Sequence, residues 1–324
     1  MISKIKIDPF VYAIVSTVLL AYLIPFFGDK EAVKPILLKI GSVGISLIFF
    51  FYGLKLNYTI IKEVVKNWRV HLIVQSATFI LFPLIVLLFY PFIRTDDAHT
   101  LWLAVFFLAV LPSSVSASVV MVAVAKGNVP AAIFNASISG IIGILITPIW
   151  MSYFISVETM EFDFSEIYFS LIAEIIVPLI FGVFLQKYFG NWAIRNSAKI
   201  SMFDKTIILL IVYKSFSESF LNGIFNSIGF LDMAILALAV IMLFWLVYYI
   251  IKYVCYKFNI NREDSIAIQF CGSKKSLIHG SVMSKIMFAN LPFVGIMLLP
   301  LMLFHGFQIV FVSFIAAKKA KEVL

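Results

Sequence analysis

The sequence has few charged residues and almost no cysteine. Of its 324 residues, 13% are charged and two are cysteine, whereas 62% are hydrophobic. A soluble globular chain is about 25% charged, so this composition excludes an ordinary soluble domain. Two cysteines are too few for a disulfide framework or a cysteine-based metal site, and the sequence predicts no metal site and no cofactor.

Motifs of intramembrane catalysis are also missing. The chain contains no H-E-x-x-H, no G-x-S-x-G and no pair of aspartates inside an apolar segment. The sequence therefore predicts that the protein is not an enzyme. An intramembrane enzyme stays a remote alternative, which serine-to-alanine variants in the fourth span would test.

Ten apolar segments fill the chain instead. Segments of about 18 or more apolar residues cross a hydrocarbon core roughly 30 Å thick as helices. No connection exceeds about a dozen residues, which predicts one membrane unit over 1–324 without a soluble domain. The predicted spans are 9–27, 36–54, 69–93, 99–125, 129–156, 165–189, 203–221, 229–256, 263–289 and 292–316.

The basic residues collect on one side of these spans. With a cytoplasmic N-terminus, most of the 25 Lys and Arg residues fall in cytoplasmic loops and ends, and the acidic loop from Glu158 to Glu166 falls outside. The positive-inside rule therefore predicts that both termini are cytoplasmic. We expect a bacterial inner-membrane protein whose partners are lipids and a small-molecule or ion substrate, with no nucleic acid. The sequence does not give the oligomeric state.

The spans divide at the acidic loop into two sets of five, 9–156 and 165–316. Because five is odd, the second set inserts with opposite orientation. Inverted repeats of this kind place a substrate site near the membrane midplane, on helices that are interrupted there. This organisation predicts matching interruptions in the fourth span of each set.

The fourth span contains a proline followed by serines. Pro112 removes a backbone donor and breaks or kinks the helix. The serine hydroxyls then either satisfy freed backbone groups or face a ligand, and close helix packing alone also accommodates them. These candidate residues are Ser113, Ser114, Ser116 and Ser118.

The ninth span contains two adjacent lysines between glycines. A lysine at the bilayer centre costs about 2.5–3.5 kcal/mol on insertion scales, so Lys274 and Lys275 are expected to face a cavity rather than lipid. The alternative is an aqueous loop with solvated lysines, but the flanks are too short for two further spans. The candidate residues here are Gly272, Ser273, Lys274, Lys275 and Ser276.

Three motifs resemble one transporter superfamily. They are L-P-S-S-V-S-A-S-V-V (111–120), G-N-V-P-A-A-I-F-N-A-S-I-S-G (127–140) and F-C-G-S-K-K-S-L (270–277). The chain resembles the bile acid:sodium symporter superfamily, in the branch often called SBF-like. The resemblance implies an all-α fold of ten helices in two inverted five-helix repeats, with panel and core domains. It also implies that the fourth and ninth helices cross at the ligand site.

The resemblance does not extend to the sodium sites. Positions whose side chains hold sodium in the bile acid branch fall at Val119, Ala132, Ala136 and Phe270, and a position of the second sodium site falls at Lys274. Hard cations prefer oxygen ligands, by analogy with hard divalent ions. We therefore expect no two-sodium mechanism, with a lysine charge in place of sodium. Lys274→Gln is expected to be more severe than Lys275→Gln.

Further polar residues within the spans complete the candidate site. Glu174 is the candidate counter-ion for a buried lysine, and interfacial placement is its alternative. Asparagine and serine in such helices also make interhelical hydrogen bonds. The remaining candidates are Gln75, Asn135, Ser139, Glu174 and Gln269.

These features predict a secondary transporter of a small anionic or amphipathic solute, because fixed positive charge and helix N-termini attract anions. The first alternative is a cation or proton antiporter, or a transporter linked to calcium regulation, in which a buried lysine acts as an internal cation. Cysteines introduced at Ser116 and Ser273 are expected to crosslink if the two interrupted spans cross.

Overall fold

The described part of the chain is helical. The computed structural model describes residues 9–25, 34–55, 67–155, 164–227, 229–288 and 293–322, and these ranges contain no strand. The helices are α1 (Pro9–Leu23), α2 (Lys34–Lys55), α3 (Trp68–Ser76, continued by Ala77–Leu81 and Phe82–Leu87), α4 (Asp96–Val110), α5 (Val115–Val124), α6 (Val129–Ser152), α7 (Phe164–Leu171, continued by Ile172–Ile176 and Val177–Arg195), α8 (Ser197–Leu221), α9 (Phe230–Lys257), α10 (Arg262–Gly272), α11 (Leu277–Met287) and α12 (Val294–Lys321).

Among the described residues, six helical segments are long and apolar enough to cross a membrane. They are Pro35–Lys55, Trp68–Phe92, Val129–Ser152, Ser165–Arg195, Phe230–Lys257 and Val294–Lys321. Helix α9 illustrates the surface that such a segment presents to lipid. Large exposed side chains recur on one face of this helix every three or four residues. Those side chains are Ile235, Leu238, Met242, Leu246, Tyr249 and Tyr253. The fold is that of a polytopic α-helical membrane protein.

The helices pack in two groups. The first bundle consists of α1, α2, α7 and α8, and the second bundle consists of α3 to α6 and α9 to α12. Within the first bundle, α2 and α7 approach closely at Gly53 and Gly182. A Cβ atom on Gly53 would meet the Leu179 carbonyl, and one on Gly182 would meet the Phe50 carbonyl. Contacts of α7 with α11, and of α8 with α11 and α12, join the bundles.

Three asparagines align the starts of α3, α6 and α10. The side-chain amides of Asn67, Asn128 and Asn261 donate to the carboxylate of Asp264 at 2.7, 2.7 and 2.8 Å. Each asparagine immediately precedes the helix that it begins. One buried carboxylate thus gathers three helix N-termini, where negative charge is favourable, and fixes the three helices that surround the candidate site.

The structure differs from the sequence prediction in one connection. A loop was expected between the sixth and seventh spans, but α7 continues to Arg195 and α8 begins at Ser197. The side chain of Asn196 donates to the Trp192 carbonyl at 2.9 Å and closes the end of α7. Glu158, Glu161 and Asp163 of the predicted acidic loop lie outside the described residues.

Candidate substrate and ion site

Two helices are interrupted within the second bundle. Helix α4 ends at Val110 and α5 begins at Val115, so four residues (111–114) separate them. Four residues (273–276) likewise separate α10, which ends at Gly272, from α11, which begins at Leu277. The first break includes Pro112, which cannot donate a backbone hydrogen bond. The second coincides with the polar S-K-K-S segment.

The two breaks lie against each other. The backbone N–H of Ser276 donates to the Pro112 carbonyl at 2.9 Å, and the Ser113 hydroxyl donates to the Cys271 carbonyl at 2.6 Å. The Ser118 hydroxyl reaches the Phe270 carbonyl at 3.3 Å. Buried backbone groups need partners, and each break supplies donors to carbonyls that the other break has freed.

Helix α6 closes a third side of the site. The Ser139 hydroxyl accepts from the Ser113 N–H at 2.9 Å, and the Thr147 hydroxyl donates to the Val110 carbonyl at 2.8 Å. Between them, Gly143 lies against the proline ring, because an added Cβ would stand 2.8 Å from the Cβ and Cγ atoms of Pro112. Helix α6 therefore approaches the break closely and satisfies two of its polar groups.

Lys275 fills the centre of this arrangement. Its ammonium donates to the carbonyls of Thr78 at 2.8 Å, Ala109 at 2.6 Å and Leu111 at 2.8 Å, and all of these atoms are buried. The same ammonium lies 4.2 Å from the centre of the Phe82 ring, within cation–π range. Three carbonyl oxygens and an aromatic face thus surround a single positive charge.

The carbonyls around Lys275 are those that the local helices cannot satisfy. At Ala77–Leu81, α3 forms a π-helical turn in which the Phe82 N–H donates to the Ala77 carbonyl. The next residue, Pro83, has no N–H, so the Thr78 carbonyl receives no helical donor. The Ala109 carbonyl loses its helical donor because the Ser113 N–H turns to Ser139. Lysine therefore occupies a ready-made set of acceptors.

The backbone of Lys275 is held as firmly as its side chain. Gln308 on α12 accepts from the Lys275 N–H at 3.2 Å and donates to the Lys275 carbonyl at 3.0 Å. The neighbouring Lys274 and Ser273 are fully buried too, and the Ser273 hydroxyl donates to the Gln269 carbonyl at 2.6 Å. The broken segment is therefore ordered residue by residue rather than solvated as a loop.

Comparison with known proteins identifies the family. The model of the SBF-like CPA transporter family matches residues 8–321. The chain belongs to this family. Relatives include the uncharacterized protein PA2026 of Pseudomonas aeruginosa, which is 34% identical over 97% of this chain and 93% of its own length. The putative symporter YfeH of Escherichia coli is 31% identical over 98% and 94%.

A vertebrate relative extends the same relationship. The sodium/bile acid cotransporter 7-B of Xenopus laevis is 26% identical over 95% of this chain and 90% of its own length. The family lies within the bile acid:sodium symporter superfamily, which confirms the resemblance seen in the sequence. The protein is therefore a membrane transporter and not an enzyme, as predicted.

Two predicted glutamines of this SBF-like transporter carry unsatisfied acceptors. Gln75 donates to the Asn135 carbonyl at 3.1 Å and lies 3.4 Å from its side-chain oxygen, and Gln269 donates to Ser265 at 2.7 Å. The side-chain oxygens of both glutamines are buried without a hydrogen-bond partner. Such orphaned acceptors are costly and suit a ligand that brings donors or positive charge.

Two predicted positions need a correction or a qualification. Glu174 does pair with a lysine, but its partner is Lys285 at 3.4 Å, not a member of the 274–275 pair. The Lys275 ammonium is surrounded by backbone carbonyls instead. Ser114 is buried in the first break, and the side chain of Ser116 lies outside the described residues.

Several residues that shape the site were not predicted from the sequence. Thr78, Phe82 and Gln308 contact Lys275, and Lys285 binds Glu174. One signal was available, because Pro83 removes the helical donor of a carbonyl one turn earlier and so indicates that a side chain must reach it. Three of the positions predicted to correspond to sodium ligands, Ala132, Ala136 and Phe270, are fully buried.

Proposed function

We propose that this protein is a secondary transporter of small anionic or amphipathic organic solutes that works without the two sodium sites of the bile acid branch. The ammonium of Lys275 is the resident cation of the site. The observation that supports this proposal most directly is that the ammonium lies 2.6–2.8 Å from three carbonyl oxygens, two beside the first helix break and one in the π-helical turn of α3. Carbonyl oxygens of this kind are the ligands that a hard cation prefers.

The proposed architecture is ten membrane helices in two inverted five-helix repeats, 9–156 and 165–316, with a panel and a core domain. It is supported by the two breaks, which interrupt the fourth predicted span of each set and are equally long. The hydrogen bonds between the breaks support a crossing at the substrate site. Alternating access would then move one bundle against the other around this site.

A lysine charge at this position disfavours sodium. Two unit charges about 4 Å apart repel by roughly 4 kcal/mol at an effective dielectric near 20, which is close to a thousandfold in affinity. From the sequence, Lys274 was expected to supply the charge that replaces sodium, whereas the carbonyl contacts favour Lys275. Because the lysine charge is covalently attached, we expect transport that is uncoupled from sodium or linked to protons.

The same site favours an anion. Lys274 and Lys275 place two buried ammonium groups in one segment, and α5 and α11 begin at the breaks, so their positive N-terminal ends point towards the site. An organic carboxylate or sulfonate matches these charges. Serine hydroxyls would donate to the anionic group, and the buried amide oxygens of Gln75 and Gln269 would accept from hydroxyl groups elsewhere on the solute.

The test is uptake into proteoliposomes from a panel of labelled carboxylates and sulfonates, including cholate, and of organic cations as controls. Sodium is replaced by choline at constant ionic strength. We expect anion uptake that does not depend on Na⁺, and loss or altered ion coupling in Lys275→Gln. A steep, saturable Na⁺ requirement in the unmodified protein would refute the resident-cation proposal.

Cation or proton antiport is the second candidate. The unpartnered buried oxygens of Gln75 and Gln269 favour it, because amide oxygens also bind cations. The discriminating measurement is cation-driven proton movement in vesicles supplied with Na⁺, K⁺ or Ca²⁺. Proton fluxes that follow one of these cations, together with no anion uptake, would replace the anion proposal by antiport.

The proposed orientation in the bacterial inner membrane has both termini in the cytoplasm. Single cysteines at Lys126 and at either terminus, in a background without native cysteines, should resist an impermeant thiol reagent applied to spheroplasts. A cysteine at Glu158 should react. Labelling of the termini from outside would reverse the orientation.

A further inference from the structure

The ends of three helices meet at one edge of the second bundle. Helix α9 ends at Lys257, α10 begins at Arg262, and α12 ends at Lys321. The Arg262 guanidinium connects two of these helices, because it donates to the Lys319 carbonyl at 2.6 Å. It also lies 3.5 Å from the Ala125 carbonyl, just beyond the end of α5. These carbonyls are neutral and leave the positive charge of the guanidinium in place.

Basic side chains from all three helices collect at this edge. Lys252 on α9 and Arg262 on α10 are close enough to Lys319 on α12 for their charges to act on its ammonium and oppose it. Basic residues at helix ends are common in membrane proteins, but here three helices bring like charges to one place. The basic residues of these segments, called the basic edge below, are Lys252, Lys257, Arg262, Lys318, Lys319 and Lys321.

Carboxylates of the same segments compensate this charge only in part. Asp264 is buried and accepts hydrogen bonds from three asparagines. Glu263 is exposed at the start of α10, and Glu322 follows the end of α12. The basic edge therefore keeps an excess of positive charge, and its members Lys252 and Lys318 are exposed where an anion can reach them.

An aromatic surface leads to the basic edge along the seam between α9 and α12. Trp245 on α9 contacts Phe311 on α12, with ring centres 5.8 Å apart, and stacks on Tyr249 at 5.6 Å. Tyr249 and Phe311 are exposed on the outer surface. Along the helix axes, Tyr249 lies about 5 Å from Lys252 and Phe311 about 10 Å from Lys318. Aromatic side chains next to lysines are typical of the membrane–water interface.

We propose that the basic edge and the aromatic seam together form a binding site for an anionic phospholipid. The phosphate group lies between Lys252 and Lys319, and an acyl chain follows the seam between α9 and α12. The bound phosphate offsets the repulsion between cations that come from three different helices. A phospholipid fits better than a soluble anion, because its acyl chain covers the apolar surface that adjoins the cations.

The probes are phosphatidylglycerol and zwitterionic phosphatidylcholine with brominated acyl chains, which quench tryptophan fluorescence on contact. The full chain is reconstituted in nanodiscs of unbrominated phosphatidylcholine that contain small fractions of either probe. Trp245 reports on the seam, and Trp245→Phe gives the signal of the other tryptophans. We expect Trp245 to favour phosphatidylglycerol over phosphatidylcholine about tenfold to a hundredfold, the range for two lysines near an anionic headgroup. Added salt should reduce this preference, because it screens the charges.

Lys252→Gln combined with Lys319→Gln is the decisive variant and should abolish most of the preference for phosphatidylglycerol. Arginine at both positions keeps the charges and should retain it. Lys187→Gln combined with Lys199→Gln is the matched control, because it removes two exposed lysines from the first bundle and should leave the preference unchanged. Lys252→Gln alone, at an exposed position, should lower the preference about fivefold and serves if the double variant does not fold.

Equal quenching of Trp245 by the two lipids in the unmodified protein would overturn the proposal. An equal loss of preference in the decisive variant and in the matched control would overturn it as well, because the effect would then be one of total charge. Inorganic phosphate, added at constant ionic strength, should not displace brominated phosphatidylglycerol. Displacement by inorganic phosphate would identify a site for soluble anions instead of a lipid site.

Discussion

Two lysines of the ninth predicted span meet their partners in different ways. Lys275 is fully buried, and three backbone carbonyls surround its ammonium. Lys285 is partly exposed and bridges a hydroxyl and a carboxylate of the other bundle. Both reach a helix that contains a π-helical turn followed closely by proline, at Ala77–Leu81 in α3 and at Ile172–Ile176 in α7.

The difference concerns how easily the contacts can be exchanged. Carbonyls of the same bundle cannot leave Lys275 without rearranging two helix breaks, so its charge is a fixed part of the site. The carboxylate that contacts Lys285 belongs to the other bundle, and this ion pair can separate without rearrangement of a helix break. The fixed charge of Lys275 suits a resident cation, whereas Lys285 makes a partly exposed contact between the bundles.

The largest expected effect is that of Lys275→Met. The substitution removes the donor from three buried carbonyls, and each unsatisfied carbonyl costs about 1–3 kcal/mol, so we expect a loss of roughly 3 kcal/mol or more in unfolding free energy. Thermal unfolding in detergent, followed by tryptophan fluorescence, measures it. Lys285→Met should cost clearly less. Equal losses in the two variants would remove the distinction between the lysines.

Gly143→Ala should have the next largest effect. The new methyl group would stand 2.8 Å from the Pro112 ring, and overpacking of this kind costs about 1–3 kcal/mol. Gly41→Ala is the matched variant beside Lys285. Its nearest atom is a flexible lysine carbon at 3.6 Å, so its stability should be nearly unchanged. A tolerated Gly143→Ala would show that the break region is less tightly packed than its contacts indicate.

A smaller difference is expected between two serines of the first break. Ser113 donates to the Cys271 carbonyl at 2.6 Å, whereas Ser118 reaches Phe270 at 3.3 Å. Ser113→Ala should therefore lower the free energy of unfolding by about 1–2 kcal/mol, and Ser118→Ala by less. The shorter hydrogen bond is the stronger one, so its loss is more destabilising. Chemical denaturation of both variants ranks them, and a reversed order would contradict the importance of the Ser113 contact.

The smallest effect concerns the ion pair itself. A double-mutant cycle with Glu174→Gln and Lys285→Gln should give a coupling energy of about 0.5–1 kcal/mol, since partly exposed pairs contribute little. Thermal unfolding of the four proteins supplies the cycle. A coupling above about 3 kcal/mol would contradict the description of this pair as long and partly exposed.

Much of the fold follows from the sequence because membrane helices are coded locally. The apolar runs, Pro112 and the G-S-K-K-S segment locate the helices and both breaks, since lipid leaves no other way to satisfy backbone groups. The connection between α7 and α8 was missed because the helices extend beyond their apolar parts. The partner of Glu174 was not predicted. Lys285 is 111 residues away in the sequence, and no sequence pattern indicates that the two side chains meet.

The sequence by itself determined that this chain is a membrane transporter whose fourth and ninth predicted spans are interrupted by polar residues. It also predicted apolar side chains at the positions of the bile-acid-branch sodium ligands. Only the tertiary structure decided which lysine fills the carbonyl site and which one bridges the bundles. The physical reason is that the carbonyls around Lys275 lie 164 to 197 residues away in the sequence. The Thr78 and Ala109 carbonyls are available because donors are missing in their own segments, at Pro83 and at the Ser113 N–H.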